Sequence, residues 1–216
     1  MTHEFSWVLA RWGDRAESAS ECAVRLAAFL TRLAALHPDL AAWDGLVGED
    51  ETVPPEAWRL GPDVARAERF VRQCRRDDGD PPAYAGFRLA LLSADRSLSL
   101  SICCGGHRHG PDTGNSVALF FPEPAPATAL RYGRDTVRDL VIAVAEVWRP
   151  EWATFTDSLL DTGRTEARRH RPVGFLNRPV GFLTWTPGAT APVLADRPFL
   201  TAEPLTDGTL LSRPGW

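Results

Sequence analysis

The stretch Ser97-Leu-Ser-Leu-Ser-Ile-Cys-Cys104 decides the fold class. Its leucines, isoleucine and Cys104 alternate with serines and Cys103, so apolar side chains face one side and small polar ones the other. This alternation is typical of an antiparallel strand with one buried face. The run from Tyr84 to Ser93 is predicted to pair with it as a hairpin.

Further strands are predicted on both sides of this hairpin. Phe5 to Trp12 alternates with apolar residues on both faces, so we expect a strand that is covered on both sides. Val117 to Phe121 is a short apolar run that ends at a proline. Pro179 to Trp185 and Thr206 to Leu211 indicate two short buried strands near the end of the sequence.

The 3.6-residue spacing of apolar side chains predicts three helices. Ser18-Ala-Ser-Glu21 is a capping box that begins the first helix, and a proline ends it. The second opens with Gly61-Pro62, stops near Gly79 and carries an arginine-rich face that we expect to be solvated. The third runs from about Asp135 to Arg149, after a linker rich in proline and alanine.

These elements predict an α+β fold with a mostly antiparallel sheet packed with about three helices. A length of 216 residues favours one domain over residues 1–216, because two domains would each be near the lower end of the usual size. The chain is long enough to bury a full core without disulfides or metal.

The composition excludes several functional classes. All 24 basic residues are arginine, so neither a Schiff-base lysine nor the lysine of a Walker A phosphate loop is available. A net charge of −4 gives no basic footprint for direct nucleic-acid binding. Apolar runs are shorter than a membrane span requires, and the N-terminus lacks the pattern of a secretory signal. We therefore expect a cytoplasmic protein with no membrane partner.

The loop from Cys103 to Asp112 holds the densest group of possible metal ligands or nucleophiles. Neighbouring cysteines on a strand point to opposite faces, and no second ligand pair completes a zinc site. A cysteine nucleophile needs a lowered thiol pKa, for which the end of a strand provides no obvious cause. We therefore predict no catalytic, cofactor-binding or metal residues and no cofactor. A small cytoplasmic hydrolase or a metal-binding enzyme remains the alternative, with this loop supplying Cys103, Cys104, His107, His109 and Asp112.

An acidic segment bounded by prolines lies between two tryptophans. An ordinary solvated loop explains it. The other interpretation is a docking patch, because aromatic residues often dominate binding energy and charges steer encounter. The candidate contact residues for a protein partner are Trp43, Asp44, Glu49, Asp50, Glu51, Glu56 and Trp58.

The segment from Arg171 to Thr184 contains an internal duplication. Arg-Pro-Val-Gly-Phe-Leu occurs twice at an offset of seven residues. Because seven is odd, equivalent side chains of the two copies would face opposite sides of a continuous strand. We predict that the second copy fills the native strand, since Thr184-Trp185 extends it.

Short motifs along the whole sequence carry a family resemblance. They are Trp7, Cys22-Ala23, Trp43, Ile102-Cys-Cys-Gly105, Asn115-Ser-Val-Ala-Leu119 with Pro122, Val147-Trp148-Arg-Pro150 before Glu151-Trp152-Ala153, and Val180-Gly-Phe-Leu-Thr184 before Asp207-Gly-Thr-Leu-Leu211. Together they resemble the immunity protein 52 family of bacterial polymorphic toxin systems.

The resemblance implies a function that is not enzymatic. It implies a cytoplasmic immunity protein, or antitoxin, that binds and neutralises a cognate polymorphic or contact-dependent toxin. It further implies that the toxin is a restriction-endonuclease-like nuclease whose active site is occluded. A non-catalytic adaptor or scaffold domain remains a further alternative, because the residues themselves name no partner.

Overall fold

The computed structural model describes residues 4–47, 58–75, 86–106, 115–158, 181–188 and 200–216. Within them the strands are β1 (Ser6–Trp12), β2 (Trp43–Leu46), β3 (Arg59–Leu60), β4 (Phe87–Ser93), β5 (Ser99–Cys104), β6 (Asn115–Phe121), β7 (Trp152–Asp157), β8 (Leu183–Pro187), β9 (Thr201–Leu205) and β10 (Gly208–Ser212). The helices are α1 (Ala19–Leu36), α2 (Val64–Gln73), α3 (Ala125–Tyr132) and α4 (Arg134–Trp148), with a short 3-10 helix at Pro38–Leu40.

All ten described strands belong to one antiparallel sheet, in the order β3-β2-β4-β5-β6-β1-β7-β8-β10-β9. The predicted hairpin is present as β4 and β5, which pair directly. The first strand in the sequence lies between two distant strands, with Ser6 opposite both Phe121 and Asp157. The α+β prediction with an antiparallel sheet is confirmed.

The described helices pack on one face of this sheet. Trp12 of β1 stacks on Trp148 of α4 with ring centroids 5.6 Å apart, and Phe29 of α1 meets the same indole edge-on at 6.2 Å. The hydroxyl of Ser6 lies 2.8 Å from that of Thr128 in α3. These contacts join β1, α1, α3 and α4 into one buried core.

Helix α1 begins where the sequence predicts. The hydroxyl of Ser18 accepts from the backbone N–H of Glu21, and the Glu21 carboxylate accepts from the backbone N–H of Ser18 at 2.8 Å. The second bond favours the ionised carboxylate and lowers the pKa of Glu21. The helix ends at Leu36, directly before His37 and Pro38, as expected from the proline.

Helix α2 begins later than the sequence suggested. Asp63 is its N-cap and its carboxylate accepts from the backbone N–H of Arg66 at 3.0 Å, so the helix starts after Gly61-Pro62. Its Phe70 lies against β2 at Gly45, where any Cβ would overlap the ring. Glycine at this position therefore lets the edge of the sheet approach α2.

The described residues contain four helices where about three were predicted, and the additional one is α3, formed by the linker rich in proline and alanine. Pro124 is the N-cap and Pro126 lies in the first turn, where a missing N–H costs no helical hydrogen bond. Alanine, the strongest helix former, supplies much of the remainder. Gly133, with a φ of 86°, then separates α3 from α4.

The expectation that β1 is covered on both faces is wrong for one of them. Val8 and Ala10 are fully buried beneath the helices. Trp7 and Leu9 point the other way and are only half-buried, while Arg11 is exposed. Because the described helices lie on the opposite face, apolar residues in β1 meet solvent.

The two C-terminal strands foreseen from the sequence are β8 and β10, which pair with each other. β7 and β9, their other neighbours in the sheet, were not predicted. Gly181 to Thr184 of the second repeat copy lead into β8, while the first copy lies outside the described residues. Phe182 packs on Phe155 and Trp216, with centroid distances of 6.3 and 5.3 Å.

The duplication provides a matched pair of variants for the prediction that the second copy is the native one. Gly181→Ala would drive a Cβ into the backbone carbonyl of Phe155, so we expect a loss of roughly 1–3 kcal/mol in unfolding free energy. Gly174→Ala, the same change in the first copy, should cost much less. Urea denaturation measures both, and equal losses would contradict the assignment.

Candidate protein-binding surface

Alternate side chains of five neighbouring strands point away from the described helices, and we call this surface the open face. The register places Trp7 beside Phe120, Phe120 beside Ser99, and Ser99 beside Leu92. Each of its residues is half-buried or exposed. The open face comprises Trp7, Leu9, Arg11, Asp44, Leu46, Arg88, Ala90, Leu92, Ser99, Ser101, Cys103, Ser116, Ala118 and Phe120.

The open face combines small, aromatic and charged side chains. Small serine and alanine side chains form its centre, with aromatic residues toward one end. The carboxylate it holds, that of Asp44, is in an ion pair with Arg59 of β3. The charge of this carboxylate is therefore matched within the sheet.

The structure separates the predicted contact residues. Trp43 is fully buried, and its indole N–H donates to the carbonyl of Leu40 at 2.8 Å, so it supports the core rather than a partner contact. Asp44 lies on the open face. Trp58 is half-buried against Phe70, with ring centroids 5.8 Å apart. The other predicted contacts lie outside the described residues, namely Glu49, Asp50, Glu51 and Glu56.

The structure describes only the first part of the loop from Cys103 to Asp112, which the hydrolase or metal-binding alternative would use. Cys104 is buried beside Cys22, and the pKa of its thiol lies well above the ordinary value because of the hydrogen bond with Cys22 and the burial. A thiol that stays protonated is a poor nucleophile and a poor metal ligand. Cys103 points to the open face, while His107, His109 and Asp112 are outside the described residues.

A polar cleft of about 450 Å³ lies beside the N-terminus of α1. Glu17 on its wall is almost completely buried and pairs with Arg15 and Arg25 at 3.2 and 2.6 Å. Arg15 also donates to the carbonyl of Trp148 at 2.8 Å. The guanidinium of Arg25 donates to the carbonyl of Val147 at 2.8 Å, so the network joins the start of α1 to the end of α4.

Two features of the sequence point to the open face, although neither was assigned to it. Trp7 and Leu9 were interpreted as a second buried face of β1. The polar side of β5, with its serines and Cys103, indicated a partly solvated face. Since β1 and β5 are both neighbours of β6, the two observations concern the same face, which the sequence order does not reveal. None of the helices in the described ranges is long and apolar enough to span a membrane.

Comparisons with known proteins find matches over most of the chain. A family model described as immunity protein 52 matches residues 4–193. No curated protein matches the chain. Among solved structures, the chain is similar to the Pseudomonas aeruginosa T6SS protein PA0821 at 15% sequence identity and a TM-score of 0.50. The alignment covers 97% of this chain and 65% of that one. At this low sequence identity the likeness concerns the fold alone.

The arrangement of the thiols predicts their order of reaction. At pH 8 we expect iodoacetamide to modify half-exposed Cys103 at least roughly tenfold faster than Cys104, because thiolate character and access both control the rate. Tandem mass spectrometry of the native protein distinguishes the two neighbours, and denatured protein gives the reference rates. Faster modification of Cys104 would support the nucleophile interpretation that the burial opposes.

Proposed function

The chain belongs to the immunity protein 52 family, and on this premise we propose that it binds and neutralises a cognate protein toxin. It acts as a stoichiometric inhibitor and not as an enzyme. The toxin is its partner, and the site of action is the cytoplasm of the cell that carries the toxin.

The family match is the observation that carries this proposal. The matched region, residues 4–193, runs from β1 to β8 and includes all four described helices. It therefore contains the open face and the helix side that supports it. A binding function needs such a rigid, preformed surface, since ordering a flexible one would reduce affinity.

The chemistry of the described residues supports binding over catalysis. Cys104 is buried with a raised pKa, and Glu17 is held between two arginines. The described residues include no group of three or more histidine, cysteine or acidic side chains able to hold a metal. The open face instead carries aromatic side chains and arginines, the residue types that are enriched at protein interfaces.

We infer that the target is a nuclease and that inhibition occludes its active site. The motivation is charge: this chain carries −4, whereas a nuclease must bind the phosphate backbone through a basic cleft. The acidic residues of the 49–56 segment follow β2 and precede β3 in the sequence, and Asp44 of β2 belongs to the open face. Opposite charges would steer the two proteins together.

Neutralisation is tested with the toxin encoded by the adjacent gene. Co-expression should restore growth of cells that produce this toxin, and the purified pair should elute as one complex in size-exclusion chromatography. Rescue without a complex would favour an enzymatic or indirect action. If the chain neither binds nor protects, the antitoxin proposal is wrong, and a toxin-independent adaptor becomes the better explanation.

Reversing the charge of the acidic segment tests whether its carboxylates steer the encounter with the toxin. Glu49→Lys, Glu51→Lys and Asp50→Lys together should lower the association rate constant roughly tenfold or more and weaken its salt dependence, because rim charges act mainly on encounter. Stopped-flow or surface plasmon resonance measures both quantities. The dissociation rate should change much less.

A control triple variant separates steering by this segment from a change in net charge. Asp135, Glu146 and Asp207 lie outside the open face, and their change to lysine alters the net charge by the same amount. This variant should associate nearly as fast as the wild type. Equal effects of the two triple variants, or unchanged kinetics in the first while it remains folded, would contradict the role of the segment.

A further inference from the structure

Three aromatic side chains form a cluster at one end of the open face. Phe5, directly before β1, lies 5.2 Å from Trp7 and 6.5 Å from Phe120 between ring centroids, and Trp7 and Phe120 are 6.4 Å apart. Phe5 is 39% exposed and the other two rings are half-buried. Exposed aromatic residues held rigidly in a group are the typical anchors of protein interfaces.

The aromatic cluster is held in place from beneath and from the side. The backbone N–H of Ser158 donates to the carbonyl of Phe5 at 3.0 Å, which fixes the residue beyond the end of β1. Trp7 and Phe120 are direct cross-strand partners in the centre of the sheet. Because the three rings already pack against one another without a partner, binding would cost little side-chain entropy.

Two exposed arginines stand at the other end of the open face. Arg11 of β1 and Arg88 of β4 lie in one cross-strand row, with Cys103 of β5 and Ser116 of β6 between them. This row contains no carboxylate, and neither arginine has an ion pair within the described ranges. By contrast, ion pairs with described acids are formed on the helix side by arginines that include Arg15, Arg25, Arg32, Arg72, Arg131 and Arg138.

The charge of the open face indicates what can cover it. Its one carboxylate, Asp44, is already paired with Arg59, which leaves Arg11 and Arg88 without a complement on the surface itself. A second copy that binds through the same face would bring like charges together and offer only this paired acid. Two arginines and a chain charge of −4 are too little for a phosphate backbone. A protein surface with carboxylates beside an apolar patch is the occupant that complements both the arginines and the aromatic cluster.

We propose that the open face is the toxin-binding surface of this protein, with the aromatic cluster as its apolar anchor and Arg11 and Arg88 paired with carboxylates of the partner. The inference rests on the proposed antitoxin function and assigns it a surface. Arginine suits this role because its planar group forms two parallel hydrogen bonds with a carboxylate.

The test measures binding of the purified toxin from the adjacent gene to paired double variants. R11E/R88E should weaken binding by roughly 30-fold or more, the range of interface hot spots. R69E/R134E is the matched control: both residues are exposed on the helix side, and the net charge changes equally. The control should remain within about threefold of the wild type by calorimetry. Thermal melting confirms that each variant is folded.

A second pair of variants tests the aromatic cluster. Phe5→Ser should raise the dissociation rate roughly tenfold, because the loss of a buried anchor acts on the complex rather than on encounter. Leu130→Ser is its control, since Leu130 is 88% exposed on α3 at the helix side. It should leave the dissociation rate unchanged.

The possible outcomes distinguish this inference from the proposed function. If the wild type binds and R11E/R88E binds equally well, or both double variants lose affinity alike, the open face is not the surface while the antitoxin function stands. Self-association, or binding of a 20-base-pair DNA duplex, that depends on Arg11 and Arg88 would also overturn the inference. If the wild type fails to bind the toxin, the proposed function fails, and the surface assignment fails with it.

Discussion

Strand β1 is the element on which the rest of the structure depends. It pairs with β6 on one side and with β7 on the other, and so joins the strands β2 to β6 to the strands β7 to β10. These contacts link residues more than 100 positions apart, so the central pairing forms against a substantial loop-closure entropy. The stack of Trp12 on Trp148 secures β1 to α4 in the same place. Without β1 the sheet would divide into two parts, and neither the core nor the open face would be continuous.

The one-sided packing of the helices gives the two faces of the sheet different roles. On the helix side, ion pairs connect elements, such as Arg32 of α1 with Glu146 of α4 and Arg131 of α3 with Asp39. Exposed pairs of this kind each contribute only about 0.2–1 kcal/mol, so the apolar core supplies most of the stability. The other face keeps aromatic and basic groups that contribute little to that core. Their exposure on this face is the physical basis of the proposed toxin contact.

The candidate site was only partly accessible to sequence reasoning. The acidic segment and its flanking tryptophans form a distinct pattern in the sequence. The structure nevertheless buries Trp43, because tryptophan occurs in cores as well as in interfaces. Arg11 and Arg88 were not singled out, since they are 77 residues apart in a chain that contains 24 arginines. They share a cross-strand row only because β6 pairs with β1 and β5 pairs with both β6 and β4. Strand pairing is a tertiary property that single-strand periodicity does not encode.

The sequence by itself determined the local elements and several exclusions. The capping box at Ser18 fixed the start of α1, the alternation in β5 fixed its buried face, and the absence of lysine excluded lysine chemistry. Each of these follows from residues within a few positions of one another. Only the tertiary structure decided the strand order, the burial of Cys104 beside Cys22, and which face of β1 remains open. These features depend on contacts between residues far apart in the chain, where competing pairings differ by packing and loop entropy rather than by local preference.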